Sequence, residues 1–241
     1  MDDASNLVDL AEMTPEQMTS MTKSIEQTLH PGYMNAEYGP TEESLAREWV
    51  SIHGNAWRYD HEIGCWFQWD GCRWKLDKTS LAGHLIGLHL RDAAKISSQR
   101  WLGRFNTSRG VEKFAQRNPL IAVTHDLWDK DTLLLGTPGG VVDLHSGTMR
   151  DSSPEDYITK SAAVMPESGE PRLWLRFLNE IFEADQDLVA FIKRLCGYCL
   201  TGETKEHALA FLYGEGGNGK SVFLNTISGI LGDYASVAAM E

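Results

Sequence analysis

The sequence predicts an α+β N-terminal module, then helices and the first β-loop-α unit of an incomplete α/β domain. Three observations carry this. An Asp70-Gly71 pair separates two runs of alternating residues, two segments of helical period follow further on, and a glycine-rich octapeptide joins an apolar run to a third helical one.

Residues 1–40 hold seven acids against one base, Lys23, a net of −6 out of −12 for the 241-residue chain. With Pro15, Pro31, Gly32, Gly39 and Pro40 as well, this segment is expected to be mostly disordered, with a short helix near 15–29. Thr41 is then a hydroxyl cap, Glu42 and Glu43 suit the first turn of a helix, and Leu45, Trp49, Val50 and Ile52 have core-facing spacing up to Gly54.

Asp70-Gly71 is the preferred pair of a two-residue type I′ turn. As the turn it sets Trp69 opposite Cys72, Phe67 opposite Trp74 and Cys65 opposite Leu76 on an apolar face, leaving Trp66, Gln68, Arg73 and Lys75 on a largely polar one. The aromatic side would suit stacking on bases, but a half-buried hairpin requires this same alternation, and packing is the plainer reading.

From Leu81 to about Arg117 the pattern is helical, with bases at four-residue spacing: Arg91 and Lys95, Arg100 and Arg104, then Arg109, Lys113 and Arg117. Against Asp92 and Glu112 these seven give a net of +5. Interleaved with Trp101 and Phe105, they are candidates for contact with a nucleic-acid backbone; a solvated helix face is the competing reading. Strand, turn and strand follow over 133–150, broken at Pro138-Gly139-Gly140 and at His145-Ser146-Gly147. Pro154, Pro166 and Pro171 mark a connection, so three regions are expected: 1–40, a domain at 41–160, and 172–241. Helices are expected at 172–183, with Trp174, Phe177, Leu178 and Ile181 on its apolar face, and at 185–200, with Leu188, Phe191, Ile192 and Leu195.

Ala208 to Tyr213 is an apolar run of strand length, read as buried on both faces, and Val222, Phe223, Ile227, Ile230 and Leu231 recur at helical spacing up to Gly232. Between them lies Gly214-Glu215-Gly216-Gly217-Asn218-Gly219-Lys220-Ser221, the spacing of a phosphate-binding loop, so the unit reads as the start of a P-loop NTPase domain. Its glycines can take positive φ and turn successive N–H groups onto phosphates. Lys220 would reach the β and γ phosphates, Ser221 would ligate Mg²⁺, and the helix start would add its dipole. Hydrolysis also needs an acid at the end of another strand and a charge-stabilising arginine. After Ser221 the only acids are Asp233 and Glu241, and no arginine follows Arg194, so nucleotide binding without hydrolysis by the chain alone is expected.

No apolar stretch approaches the roughly 20 residues of a membrane span, and the acidic start lacks the basic and apolar parts of a signal peptide, which favours the cytoplasm. Cys65, Cys72, Cys196 and Cys199 have no histidine near them at zinc-finger spacing and read as buried free thiols.

Four separated segments resemble one family, the primase-helicases of phages, plasmids and large DNA viruses, whose motor is a superfamily three helicase. They are Trp69-Asp70-Gly71 with Trp74; Thr137-Pro138-Gly139-Gly140-Val141-Val142-Asp143-Leu144 with Ser146-Gly147; Leu195-Cys196-Gly197-Tyr198 with Leu200-Thr201-Gly202; and Phe211 through Ser221. The resemblance covers about 41–234. It implies that 41–160 is a helicase-associated domain and that 172–241 is the truncated start of the motor. It further implies ATP and Mg²⁺ as cofactors, Lys220 and Ser221 as catalytic residues, and residues 214–221 as the nucleotide cradle. For the complete protein it implies a hexameric ring acting on single-stranded or forked DNA in replication, in a bacterial host cytoplasm if phage or plasmid encoded. The family's acidic metal-binding strand, sensor, arginine finger and DNA-contacting loops have no counterpart here. The chain thus reads as the front of an ATP-dependent replicative DNA helicase. The alternatives are a non-catalytic DNA- or protein-docking adaptor and, less favoured, a small P-loop kinase.

Overall fold

A computed structural model describes residues 40–238, so the acidic segment and the helix expected near 15–29 lie outside the described residues. The described chain forms two compact units, one of residues 40–68 and 76–125, the other of 69–75 and 126–238.

In the first unit, α1 (Glu42–His53) begins with a reciprocal cap: Ser44 N donates to Thr41 Oγ1 (3.1 Å) and Thr41 N to Ser44 Oγ (2.9 Å). Leu45, Ala46, Trp49 and Val50 are buried, whereas Ile52, expected to face the core, is exposed. Strands β1 (Trp57–Asp60) and β2 (Cys65–Trp69) pair antiparallel, with Tyr59 opposite Trp66. With β3 (Trp74–Leu76) and the short β4 (Ala122–Val123), parallel to β1, the strand order is β3-β2-β1-β4.

Trp66, expected on a polar face, is instead buried among Trp49, Trp57 and Tyr59. The sheet is apolar on both sides, because Phe67 on the opposite face is buried too. The turn also differs from expectation. Asp70 Oδ1 accepts from Cys72 N (2.8 Å) and Arg73 N (2.9 Å), and Asp70 N donates to Arg73 O (3.0 Å). Gly71 (φ 100°) and Cys72 are therefore the central residues, because a carboxylate that caps two N–H groups holds Asp70 at the first corner.

The helical stretch expected over 81–117 is broken. Helix α2 (Leu81–Ser97) ends at Ser98, whose φ is 57°, a 3₁₀ turn spans Arg100–Gly103, and α3 (Phe105–Gln116) follows. Ile86 and Leu90 of α2, Leu102 of the turn and Val111 of α3 are buried in the same core as Trp49. Ser80 makes no side-chain cap to α2; Asp77 serves instead, accepting from Ala82 N and Thr79 N, each at 2.9 Å.

Burial pushes the Asp77 carboxyl up, but the N–H groups of Ala82, Leu81 and Thr79 outweigh it and hold it below its ordinary value. A folded value below the unfolded one contributes stability above about pH 4 that is lost as pH falls through the folded value. Asp77→Ala is expected to cost about 1 kcal/mol at neutral pH and less in acid, read by urea denaturation at both.

In the second unit β5 (Leu134–Thr137), β6 (Gly140–Asp143) and β7 (Thr148–Arg150) form an antiparallel meander, close to the strands expected there. The hairpin tip belongs to this unit: Trp74 is buried, donates from its indole to Pro154 O (2.9 Å), and packs against Trp69 and Trp128. Helices α4 (Arg172–Ile181), α5 (Gln186–Cys199) and α6 (Lys220–Leu231) enclose a small core of Leu178, Ile192 and Phe223.

The α4 face is as expected. On α5 it is Val189, Ile192, Leu195 and Cys196 that pack, while Leu188 and Phe191 stay exposed, a rotation of the expected stripe. The run 208–213, expected as a strand buried on both faces, forms no strand and has no ladder partner among the described residues. Leu209, Phe211 and Tyr213 are 90%, 81% and 84% exposed, and Leu212 alone of that run packs against the small core. Apolar pattern specifies a strand only when a neighbour supplies its backbone partners.

Candidate nucleotide loop and basic surface

Three loop glycines adopt the left-handed region, Gly214 (φ 141°), Gly217 (φ 82°) and Gly219 (φ 81°), as a loop that turns its N–H groups to one side requires. Gly219 is the cap from which α6 starts, and its carbonyl accepts from Phe223 N (2.9 Å). A β-carbon at Gly219 would lie 2.7 Å from Ile181 Cγ2 and 3.1 Å from Phe177 Cε2, so α4 forms the floor of the loop. That floor was not legible in the sequence beyond the apolar stripe of α4.

The half-buried Lys220 bends back over the loop. Its Nζ donates to Gly214 O (2.8 Å), Glu215 O (2.9 Å) and Asn218 Oδ1 (2.7 Å). All three ammonium protons are thereby used, and the lysine braces the loop. Glu215, Gly216, Gly217, Asn218 and Ser221 are exposed, so the loop face and the Ser221 hydroxyl are open to solvent.

The other end of α6 is tied down by contacts that no sequence pattern signals. Tyr234 Oη accepts from Gly136 N (2.9 Å) and donates to Lys160 O (3.2 Å). Asp233 accepts from Ser161 N (3.2 Å) and pairs with Arg73, which leaves its carboxylate engaged. Burial, followed by the opposing Gly136 N–H and then Asp129, leaves the Tyr234 phenol above its ordinary value. Tyr234→Phe strips the Gly136 N–H of its acceptor and is expected to cost about 1–3 kcal/mol, read as a lowered urea midpoint.

All seven candidate bases are exposed, in the first unit. Arg91 and Lys95 lie on α2, Arg100 in the 3₁₀ turn, Arg104 just before α3, Arg109 and Lys113 on α3, and Arg117 just after it. Lys95 pairs with Asp92 (2.8 Å), Lys113 donates to Gln116 Oε1 (3.0 Å), and the Arg109 guanidinium stands 5.8 Å from the centre of the Phe105 ring. Trp101 is half-buried and donates to Gln99 Oε1 (2.8 Å).

The four cysteines are free; Cys65, Cys72 and Cys196 are half-buried and Cys199 is exposed, less enclosed than expected. Burial, and Cys199 next to it, push the Cys196 thiol up, away from a metal-binding thiolate. No cluster of three or more potential metal ligands occurs among the described residues. No described helix is long and apolar enough to cross a membrane.

Residues 44–183 match the family described as D5 N terminal like. The chain is similar to a putative helicase, L207/L206, of Acanthamoeba polyphaga mimivirus, at 31% identity over 110 residues, 44% of this chain and 11% of that protein. It is also similar to a putative helicase, 121R, of Invertebrate iridescent virus 3, at 26% identity over 142 residues, 53% of this chain and 15% of that protein. The matched stretches are thus about a seventh or less of the length of these relatives. Because the family match takes in more than half of the sequence, the chain belongs to the primase-helicase family that carries a D5 N terminal like domain.

Proposed function

We propose that the chain is the N-terminal portion of an ATP-dependent replicative DNA helicase and that it binds ATP with Mg²⁺ through residues 214–221. The observation that carries this reading is the loop itself: three positive-φ glycines, an inward-turned Lys220 and the start of α6 at one point. In this reading Lys220 exchanges one of its loop acceptors for the β or γ phosphate, and Ser221 ligates the magnesium ion. Lys220 and Ser221 are the catalytic residues in the complete protein. The chain alone binds without hydrolysing, since the acid nearest in sequence after the loop, Asp233, is held by Arg73 and Ser161.

For the complete protein we propose, from the resemblance to superfamily three helicases, a hexameric ring acting on single-stranded or forked DNA; the viral relatives are named putative helicases and nothing more. The phosphate basis of binding is tested by ligand choice. ATP and ADP are expected to bind in the presence of Mg²⁺ and adenosine not at all, whereas equal binding of adenosine would sink the assignment. A second reading, a DNA-docking adaptor, is favoured by the exposed bases of the first unit, and the two readings are compatible in one chain.

A further inference from the structure

The seven exposed bases of the first unit do not lie on one continuous helix; they are carried by α2, the 3₁₀ turn, and α3 with its flanking residues. A methyl group on Gly83 would touch the Glu112 carboxylate at 3.6 Å, and one on Gly87 would touch the Ser108 hydroxyl at 3.9 Å. These two pairs fix an antiparallel register between α2 and α3.

Few of the charges on these helices are paired from within, although the Glu42 carboxylate lies against α3 at Gly110. Lys95 has Asp92, but among the described residues no acid lies within ion-pair distance of Arg91, Arg100, Arg104, Arg109, Lys113 or Arg117. Glu112 is turned the other way, accepting from the Trp66 indole (2.9 Å) and from Gln116 (3.4 Å). A plain solvated face commonly intersperses acids with its bases. This one gathers like charge, which favours a polyanion.

The second observation is Phe105. It is 74% exposed at the first position of α3, with Arg109 and Lys113 following at four-residue spacing on the same side. An exposed phenyl ring among cations, with a guanidinium already near it, offers a stacking platform beside phosphate-binding groups. Duplex DNA keeps its bases stacked on one another, so the combination fits a single strand.

We propose that the α2–α3 corner is a docking surface for a single-stranded polynucleotide, its phosphates met by Arg91, Arg100, Arg104, Arg109 and Lys113 and one base stacked on Phe105. The proposal does not depend on the nucleotide loop, and it rests on the helicase reading only for the choice of DNA as the probe.

The experiment is fluorescence anisotropy of a dye-labelled oligothymidylate of about 20 nucleotides with the whole chain, against a duplex of equal length. Neutralising about five phosphates gives a slope near −3.5 for log affinity against log salt. The double variant Arg100→Glu/Arg104→Glu is expected to weaken single-strand binding tenfold or more. Phe105→Ala is expected to weaken it about tenfold while leaving duplex binding as it was, and Phe105→Trp to restore it.

Lys220→Ala is expected to leave DNA binding unchanged, so failure here and failure of the nucleotide reading are scored separately. Single-strand affinity unaltered by the charge reversal, in a variant whose circular dichroism and melt match the parent, would overturn the proposal. So would duplex binding as tight as single-strand binding, or tight binding untouched by loss of the phenyl ring.

Discussion

Trp49→Ala is expected to cost the first unit about 3–5 kcal/mol, the largest stability effect of any single change considered. Trp49 is fully buried on α1 and meets three other rings, His53 at 4.9 Å, Trp66 at 5.9 Å and Trp57 at 6.4 Å between centroids. Deleting the indole removes apolar contact area and leaves a void that rigid neighbours on two strands cannot close. A loss of that size is a large part of the stability of an ordinary domain, so the variant should populate unfolded forms at moderate temperature. Urea denaturation followed by circular dichroism checks this. Ile52→Ala on the exposed side of the same helix is the control, expected to change stability by no more than about 0.5 kcal/mol. A Trp49 variant as stable as the Ile52 variant would mean that the cluster of rings is not the unit's core.

The second large effect is on the proposed nucleotide loop. Gly219→Ala is expected to weaken ATP binding tenfold or more, through two separable costs. Its φ of 81° costs an L-residue about 1–2 kcal/mol, and the new methyl would press on Ile181 and Phe177, helix side chains that cannot swing clear. The loop would have to lift from its floor, moving the N–H groups proposed to meet phosphate. Gly216→Ala is the contrast, because nothing lies within 4 Å of a β-carbon there and its φ is not positive. That variant should bind within a few-fold of the parent, and equal losses at the two positions would contradict the geometry.

What was legible in the sequence was local. The cap and acidic first turn of α1, the apolar stripe of α4, the strands around Pro138-Gly139-Gly140 and the start of α6 at the loop depend on neighbours within a few residues. What was not legible depended on distant or competing groups. The Asp70 carboxylate chose the turn over the dipeptide preference, and β1 and α1 decided that Trp66 faces the core. Ser98 interrupts a helical period that runs on past it, and the rotation of the α5 stripe follows its partners α4 and α6.

The run 208–213 shows the limit most plainly: its composition is that of a buried strand, and only a pairing neighbour could make it one. For the candidate site, the loop residues could be named from spacing alone. The Tyr234 anchor, 98 residues from Gly136, could not.

Titration calorimetry of ATP with Mg²⁺ into the whole chain, repeated with Lys220→Ala, tests the central claim most directly. The parent is expected to bind one nucleotide per chain. The variant is expected to lose that heat while its helical content and melt stay those of the parent, since among the described residues the Lys220 ammonium hydrogen-bonds only within its own loop. A parent that takes up no nucleotide, or a variant that binds as the parent does, would contradict the assignment of residues 214–221 as the nucleotide site.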